Sequence, residues 1–219
     1  MRFGVLGTGM VGHTIATKLI SLGHEVTMGS RRAGNDKAAA WAAQAGESAH
    51  EGSFAGAASF GEVVVNATAG TASLDALAAA EEKNLTGKVL IDVANPLDSS
   101  TGMPPRLTVA NTDSLGERIQ RQFPDARVVK ALNTMNCEVM VDPSRVPGSH
   151  SVFLCGNDQS AKADVRALLE TFGWPAGSIL DLGDLSAARG MEMYLPLWLR
   201  IFGALGTGRF NIALVRDAQ

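Results

Sequence analysis

A glycine-rich turn behind a short apolar segment constrains the fold of this chain more than any other feature. The run Phe3–Leu6 is typical of a strand buried on both faces, and it leads directly into Gly7–Gly12, with the sequence GTGMVG. In this G-x-G-x-x-G spacing the first glycine permits a tight turn. The second lets the backbone approach a pyrophosphate, and the third lets the following helix pack closely on the strand. The free N–H groups and positive dipole end of that helix then face the phosphates. The segment predicts a dinucleotide-binding site.

The end of the second predicted strand, Glu25–Met28, bears on which dinucleotide is bound. An NAD-selective site carries Asp or Glu about 20 residues beyond the glycines, where it bonds the ribose 2′-hydroxyl. This chain instead has Ser30, Arg31 and Arg32 there, and no acid before Asp36. A guanidinium can hold a 2′-phosphate through two parallel hydrogen bonds, and the serine hydroxyl can add a donor. The pattern favours NADP, the alternative being two solvated charges at the start of a helix.

Composition narrows the class of protein. The chain has 219 residues, enough for one domain or one domain with a small appendage, and its 46% hydrophobic and 19% charged residues are ordinary for a soluble protein. A net charge of −3 argues against a nucleic-acid partner. The two cysteines, Cys137 and Cys155, lack metal-ligand spacing and suit a reducing cytoplasm, so we expect no metal. Neither a secretory signal nor a membrane span is expected.

Short apolar runs alternate with helical patterns over residues 1–148. This alternation predicts an α/β fold with a Rossmann-type, doubly wound parallel sheet. The further strands predicted are Glu62–Ala67, Lys88–Val93 and Arg127–Leu132. The predicted helices are Lys37–Ala45, Ser53–Ala58, Ser73–Lys83 and Ser114–Phe123. The segment Leu97–Val109 holds one glycine and two prolines and predicts a long loop.

The pattern changes near residue 148. We expect residues 1–148 to form the NADP-binding domain and residues 149–219 to form a small C-terminal α/β extension packed against it. The intervening segment Asn133–Ser149 is predicted to be irregular. The extension is predicted to contain the strands Ser151–Cys155 and Ser178–Leu182, the helix Ser160–Phe172, and a long final helix over Ser186–Leu205, kinked at Pro196.

The site is expected beyond the carboxyl ends of the parallel strands, where ligands bind in open α/β sheets. The glycine turn would take the pyrophosphate, and the next strand end would take the adenosine phosphate. The two strand ends after that would flank the nicotinamide ribose, although Thr68 and Asn95 could equally serve as turn or cap residues. The residues predicted to bind the cofactor are Gly7, Thr8, Gly9, Met10, Val11, Gly12, Ser30, Arg31, Arg32, Ala67, Thr68, Asn95 and Pro96. Those predicted to meet the substrate are Asn133, Thr134 and Met135.

No catalytic residue is predicted. The four histidines are scattered in turns and at element ends, and the chain shows no recognisable spacing of a nucleophile with its base. Hydride transfer between two stacked rings requires distance and alignment rather than a proton-transfer side chain, because the cofactors carry the chemistry. An oxidoreductase therefore needs no such residue here.

At this level of detail the chain resembles the F420-dependent NADP oxidoreductase family, whose members pass a hydride between NADPH and a deazaflavin coenzyme. The resemblance rests on GTGMVG, LGHEVTMGSRR, VVKALNT, SVFLCGNDQSAKADVRALLE and LDLGDLSAARGMEMYLPLWLRIFGALGTG, which together span nearly the whole chain. It implies that Thr8, Gly9, Met10 and Val11 hold NADP, with Ser30 and Arg31 on the 2′-phosphate. It also implies F420 as co-substrate. A homodimer through the C-terminal helices is implied as well, and would explain the apolar run Tyr194–Leu205.

One position departs from the family pattern. Archaeal members carry a histidine that faces the deazaflavin where this chain has Asn133, and an amide does not titrate. The hydride acceptor therefore stays open between F420 and another small molecule such as a flavin, a ferric chelate or a quinone. A non-enzymatic NADP sensor is a third hypothesis. Hydroxyacid and imine reductases need a larger helical domain than the residues after 148 provide.

Overall fold

One eight-stranded sheet organises the computed structural model, which describes residues 1–100, 102–215 and 217. The strands in chain order are β1 (Arg2–Leu6), β2 (Glu25–Ser30), β3 (Ala49–Ser53), β4 (Val63–Asn66), β5 (Val89–Asp92), β6 (Leu97–Asp98), β7 (Arg106–Leu107), β8 (Arg127–Ala131), β9 (Val152–Gly156) and β10 (Ile179–Asp181). The α-helices are α1 (Met10–Ser21), α2 (Asp36–Ala45), α3 (Phe54–Phe60), α4 (Ser73–Ala79), α5 (Leu115–Gln122), α6 (Cys137–Val141), α7 (Gln159–Thr171), α8 (Ala188–Met193) and α9 (Leu195–Leu205). Strands β6 and β7 form a separate antiparallel pair.

The sheet has the order β10-β9-β8-β5-β4-β1-β2-β3, and every pair except β8–β9 is parallel. The strand order reverses beside β1, so the connections after β1 and β4 diverge and leave a crevice at the carboxyl edge. Five neighbouring strands carry residues that stand in register at this edge, namely Gly29, Leu6, Asn66, Asp92 and Lys130. This confirms the predicted Rossmann-type α/β fold.

The two faces of the sheet bury separate apolar layers. On β1, Phe3 and Val5 pack in the layer that contains Trp41 from α2, whereas Leu6 packs in the other layer with Leu77 from α4. Strands buried on both faces explain why these segments read as continuous apolar runs. The expected helices therefore cover both sides of the sheet.

Three segments contain strands or a helix that the sequence did not predict. Ala49–Ser53 forms an edge strand although its sequence, AHEGS, has no apolar run, because pairing with β2 supplies its hydrogen bonds. The segment Leu97–Val109 is not loop throughout, since β6 and β7 pair within it. Asn133–Ser149 is not irregular throughout, because Asn136 caps the short helix α6 by accepting from the Glu138 N–H. A five-residue helix is too short to show a periodic pattern.

Some boundaries also shift. Strand β2 continues to Ser30, and the helix predicted over Ser73–Lys83 ends at Ala79. The final helical segment is broken at Tyr194 into α8 and α9. Pro196 has no N–H to donate to the carbonyl one turn earlier, which explains the interruption predicted there.

The C-terminal strands continue the same sheet. Strand β9 pairs with β8 in antiparallel orientation, with Ala131 opposite Leu154, and β10 then pairs with β9. The domain boundary near residue 148 stays a prediction, and the end of the second range, at residues 216, 218 and 219, lies outside the described residues. Within the part of the chain that the structure covers, no helix combines the length and apolar character required to cross a bilayer.

Candidate dinucleotide- and acceptor-binding site

The glycine turn between β1 and α1 requires glycine at two positions for steric reasons. Gly7 has φ of +120°, and a Cβ there would lie 2.5 Å from the Ala67 carbonyl oxygen. A Cβ at Gly12 would lie 2.1 Å from the Gly7 oxygen. A side chain at Gly7 would collide with the segment that follows β4, and one at Gly12 would push α1 away from the turn. Gly7 therefore permits the turn, and Gly12 holds α1 close to it.

Gly9 is glycine for a different reason. It is the N-cap of α1 with extended backbone, and a Cβ there would meet no described protein atom within 4 Å. The helix has no side-chain cap and no acidic residue in its first turn. Its leading N–H groups are therefore available to an anion, as the first turn of a helix leaves them without intrahelical partners. This cradle fits a pyrophosphate.

A cavity of about 900 Å³ begins at this turn. It is lined by Gly7, Thr8 and Gly9 at one end and by Ser30, Arg31 and Arg32 at the end of β2. Its wall includes one face of α4. The cavity thus connects an anion-binding helix terminus with a pair of arginines, the arrangement expected for a phosphorylated dinucleotide.

The two arginines at the end of β2 are exposed. Among the described residues neither guanidinium forms an ion pair, so both are available to a ligand. The Ser30 hydroxyl is buried and donates to the Arg32 carbonyl, so in this geometry it shapes the turn and does not point a donor at a ligand. Arginines are therefore the main anion-binding groups here.

Thr68 takes part in a polar network behind the cavity wall. Its hydroxyl donates to Asn66 Oδ1 over 2.7 Å and lies 2.9 Å from the Ser73 hydroxyl. The Asn66 amide in turn donates to Asp92 Oδ1 over 2.9 Å. These contacts fix the backbone at the end of β4, as expected of a turn residue, while Thr68 also lines the cavity.

A second cavity, of about 270 Å³, adjoins the first. The two share Ala67, Thr68 and Ala69 in their walls, so a ligand that passes these residues enters both. The second cavity is mainly apolar, with Val11, Val93, Leu97, Met135, Met140 and Leu195 in its lining. Of the predicted site residues, Val11, Ala67, Thr68, Asn95, Asn133 and Met135 line it, whereas Met10, Gly12, Pro96 and Thr134 line neither cavity.

Asn95 and Asn133 form a reciprocal pair at this cavity. The Asn95 side-chain amide donates to the backbone carbonyl of Asn133 over 2.9 Å, and the Asn133 side-chain amide donates to Asn95 Oδ1 over 2.9 Å. The preceding residue, Leu132, has φ of +64°, a left-handed conformation that is strained for a branched side chain. The chain accepts this strain at the turn that places Asn133 in the wall of the cavity.

Helix α9 closes the second cavity with Leu195 and Trp198. The indole of Trp198 stacks on Phe202 at 5.4 Å and on Phe210 at 5.2 Å between ring centroids. In the sequence Trp198 lies at helical spacing with Met191, a pattern more typical of a core or an interface. The sequence therefore did not predict that Trp198 lines the site. The two aromatic residues at positions 198 and 202, about one helical turn apart, were the sequence signal that could have indicated this role.

A buried ionic cluster beneath the site was also missed. The ammonium of Lys130 contacts Asp92 Oδ2 at 2.7 Å and Glu192 Oε1 at 2.8 Å, with all three side chains buried. Burial alone would lower the pKa of Lys130, but the two carboxylates outweigh it and the pKa lies above its ordinary value. Glu192 also accepts from the Leu115 and Gly116 N–H groups, the positive end of α5.

Two other buried side chains with reactive groups, Cys155 and His150, have structural roles. Burial raises the pKa of the Cys155 thiol to about 12, so it is not a nucleophile at neutral pH. His150 is buried and bonds through Nε2 to the Pro143 and Val146 carbonyls. Across the described ranges no group of three or more His, Cys, Asp or Glu side chains could hold a metal ion.

The chain is similar to known proteins in sequence and in fold. Residues 2–96 match the family described as NADP oxidoreductase, coenzyme F420-dependent. A crystal structure from Arthrobacter sp. FB24, provisionally described as an F420-dependent NADP reductase, is 52% identical with a TM-score of 0.92, over 99% of this chain and all of that one.

Two more distant proteins are also similar. Metalloreductase STEAP3 of Rattus norvegicus is 28% identical over 201 residues, which is 90% of this chain but only 38% of that protein. An imine reductase of Aspergillus terreus shares the fold with a TM-score of 0.66 at 20% identity, over 94% of this chain and 62% of that one. The chain belongs to the coenzyme F420-dependent NADP oxidoreductase family and is an NADP-dependent oxidoreductase.

Proposed function

We propose that this protein transfers a hydride between NADPH and coenzyme F420. The observation that carries the proposal is the junction of two cavities of different character at the carboxyl edge of the sheet. The larger begins at a helix N-terminus and ends at two arginines, whereas the smaller is mainly apolar. A phosphorylated dinucleotide fits the first, and the flat rings that exchange the hydride fit the second.

In this proposal the chain binds and orients the two cofactors. The leading N–H groups of α1 hold the pyrophosphate, and Arg31 and Arg32 hold the 2′-phosphate. Ala67 and Thr68 border the path into the second cavity, where Asn95 and Asn133 face the rings together with Met135. Bound NADPH would supply the hydride, and these residues would hold its nicotinamide and the acceptor ring in the second cavity. The apolar lining contributed by Leu195 and Trp198 keeps water away from the reacting rings.

Reduction of the acceptor by a hydride also takes up one proton, and in this proposal that proton comes from solvent and not from a side chain of the cavity. The residue at the position of the family's histidine is Asn133, which hydrogen-bonds but does not titrate. Its partner Asn95 is likewise neutral. Alignment of two rings accounts for hydride transfer, so we expect the reaction rate to follow ring position and not the ionisation of a side chain in this cavity.

A second acceptor is supported by one comparison. STEAP3, which matches 90% of this chain, is named a metalloreductase. A ferric chelate, or a free flavin that reduces one, is therefore the alternative acceptor on the same NADPH platform. The absence of a titrating residue at position 133 fits this alternative as well as it fits F420.

We also propose that the protein is a cytoplasmic homodimer that pairs through α9. Leu197, Phe202 and Leu205 on this helix are exposed by 56%, 42% and 58%. Large apolar side chains that cluster on one exposed helix are typical of an interface. A second copy of the chain would cover them. Both cysteines are free thiols, which suits a reducing compartment.

The acceptor is tested by mixing the purified protein with NADPH and either F420, FMN or a ferric chelate. Loss of the deazaflavin absorbance with F420, at a rate well above those of the other two, is the expected result. NADH in place of NADPH serves as the control and should give little turnover. Tight NADPH binding without F420 reduction would reject the F420 proposal, and faster reduction of FMN or the chelate would favour the alternative.

A further inference from the structure

Two unpaired polar atoms lie in the wall of the second cavity. Within the described residues, Asn133 Oδ1 and Trp198 Nε1 are buried and have no hydrogen-bond partner, and both residues line this cavity. Buried polar atoms in native proteins are paired in the great majority of cases, so each exception calls for an explanation. Their occurrence at one binding cavity points to a ligand as the missing partner.

The orientation of both groups is fixed by their neighbours. The Asn133 amide nitrogen donates to Asn95 Oδ1, while Asn95 uses its own nitrogen on the Asn133 carbonyl. This reciprocal pairing leaves Oδ1 as the free atom of Asn133, since a reversed amide would bring two oxygens together. The indole of Trp198 is held by stacking on the rings of Phe202 and Phe210. Both free atoms are therefore preorganised.

The two atoms have opposite hydrogen-bonding character. Asn133 Oδ1 can only accept, and the indole N–H of Trp198 can only donate. We infer that Asn133 and Trp198 together bind a planar amide edge, in which an N–H donor and a carbonyl acceptor belong to one group. The N–H of the ligand donates to Asn133, and its carbonyl accepts from Trp198.

This inference rests on the proposed function and names two sources of such an edge. One is the carboxamide of the nicotinamide ring, and the other is the imide edge of a flavin-like or deazaflavin acceptor. Either contact would fix the rotation of the bound ring within its own plane. It would thereby set which ring atom lies against the hydride partner, so Asn133 and Trp198 become orienting residues for the reaction.

The test removes the indole N–H while keeping an aromatic ring in the stack. Trp198→Phe is compared with wild type for its dissociation constants for NADPH, for the thionicotinamide analogue, and for 2′-phospho-ADP-ribose. If the carboxamide is the ligand, NADPH binding should weaken about 3- to 10-fold, the range for one neutral hydrogen bond. The thioamide should respond less, because sulfur is a weaker acceptor. The affinity for 2′-phospho-ADP-ribose, which lacks the nicotinamide ring, should be unchanged.

A matched control and an acceptor arm complete the design. Trp41→Phe removes an indole N–H that donates to Thr17, outside both cavities, and should leave all three constants unchanged. FMN and F420 binding are measured without NADP ligands. Weaker binding of these acceptors by Trp198→Phe, with NADPH unaffected, would assign the amide edge to the acceptor and support the inference through its second source.

The outcomes separate this inference from the proposed function. If Trp198→Phe changes the affinity for NADPH, FMN and F420 by less than about twofold, while wild type binds these ligands, the inference is wrong and the proposed function stands. If wild type binds neither 2′-phospho-ADP-ribose nor NADPH, the proposed function fails, and the carboxamide assignment fails with it. An equal loss for NADPH and 2′-phospho-ADP-ribose would also reject the inference, since it would indicate a general disturbance of the site.

Discussion

At the scale of single residues, Gly9 and Gly12 share one motif, yet each is glycine for its own reason. A Cβ at Gly12 would collide with the Gly7 carbonyl inside the protein, whereas a Cβ at Gly9 would meet only the space in front of the helix. Gly12 therefore serves the packing of α1 on the sheet, and Gly9 serves the close approach of a ligand. A spacing pattern alone does not distinguish these roles.

Alanine substitutions should separate the two roles. Gly9→Ala should leave stability unchanged or slightly raised, because its φ of −80° suits any residue, but should weaken NADPH binding at least tenfold. Gly12→Ala should lower the free energy of unfolding by about 1–3 kcal/mol through overpacking. Urea denaturation and NADPH titration measure both effects. A large stability loss in Gly9→Ala would contradict the assignment.

Arg31 should determine the preference for NADPH over NADH. We expect Arg31→Ala to weaken NADPH about 10- to 100-fold, the range for a charge-assisted hydrogen bond, and to change NADH affinity little, because NADH lacks the 2′-phosphate. Fluorescence titration with both dinucleotides measures the ratio. Arg166→Ala, on α7 and outside both cavities, is the control and should change neither affinity. Equal losses for the two dinucleotides would reject the phosphate-binding role.

At the scale of elements, the cluster of Lys130, Asp92 and Glu192 joins parts of the chain that are remote in sequence. Lys130 lies on β8, Asp92 ends β5, and Glu192 lies on α8 and accepts from the first N–H groups of α5. The lysine also donates to the Ala94 carbonyl, next to Asn95. The cluster therefore ties the C-terminal helices to the strand ends that form the second cavity.

Replacing Lys130 should lower the free energy of unfolding far more than a neutral substitution of Glu192. Lys130→Met would leave two buried carboxylates unpaired and should cost about 3–5 kcal/mol of unfolding free energy. Glu192→Gln keeps an acceptor and a similar shape and should cost less. Urea midpoints give both values. A Lys130→Met protein as stable as wild type would show that the cluster does not hold these elements together.

The contribution of Lys130 to the free energy of unfolding should be lost as the pH rises, not as it falls. Its pKa in the folded protein lies above the value of 10.5 for an unperturbed lysine, so folding binds its proton more tightly. The stabilisation is then fully present below pH 10.5 and is lost as the pH rises through the folded pKa. As the pH rises, the difference in unfolding free energy between wild type and Lys130→Met should thus narrow only in strong alkali. A narrowing of this difference as the pH rises from 6 to 9 would contradict this.

At the scale of the whole molecule, the site is assembled from both ends of the chain. The glycine turn and β2 provide the first cavity, while α6 and α9 complete the second. Helix α9 has two faces in this arrangement, since Trp198 faces the cavity and Leu205 is exposed. If a second copy of the chain covers the exposed face, dimerisation holds α9 in place against the second cavity.

A charge on that face should separate the proposed dimer. Leu205→Arg should convert the dimer to a monomer, because an interface core does not tolerate an unpaired charge. Light scattering coupled to size-exclusion chromatography measures the mass of each species. Met103→Arg places the same charge on another exposed apolar residue and should leave the dimer intact. A wild-type protein that is monomeric at micromolar concentration would reject the dimer itself.

Local chemistry made much of the fold predictable. The apolar runs of β1, β4, β5 and β8 and the glycine turn could all be identified from neighbouring residues, because burial on both faces and the steric needs of a tight turn are short-range constraints. Strand β3 and helix α6 could not. One is polar and depends on pairing with β2, and the other is too short for a periodic pattern.

The sequence by itself determined that this chain forms a nucleotide-binding α/β sheet with arginines at the end of its second strand. Only the tertiary structure decided which residues meet around the second cavity. Asn95 follows β5, Asn133 follows β8 and Trp198 lies on α9. The reciprocal amide pair and the stacked indole exist only once these three segments pack together. The physical reason is that backbone turns follow from adjacent residues, whereas a polar atom left unpaired in a cavity wall depends on every element that surrounds it.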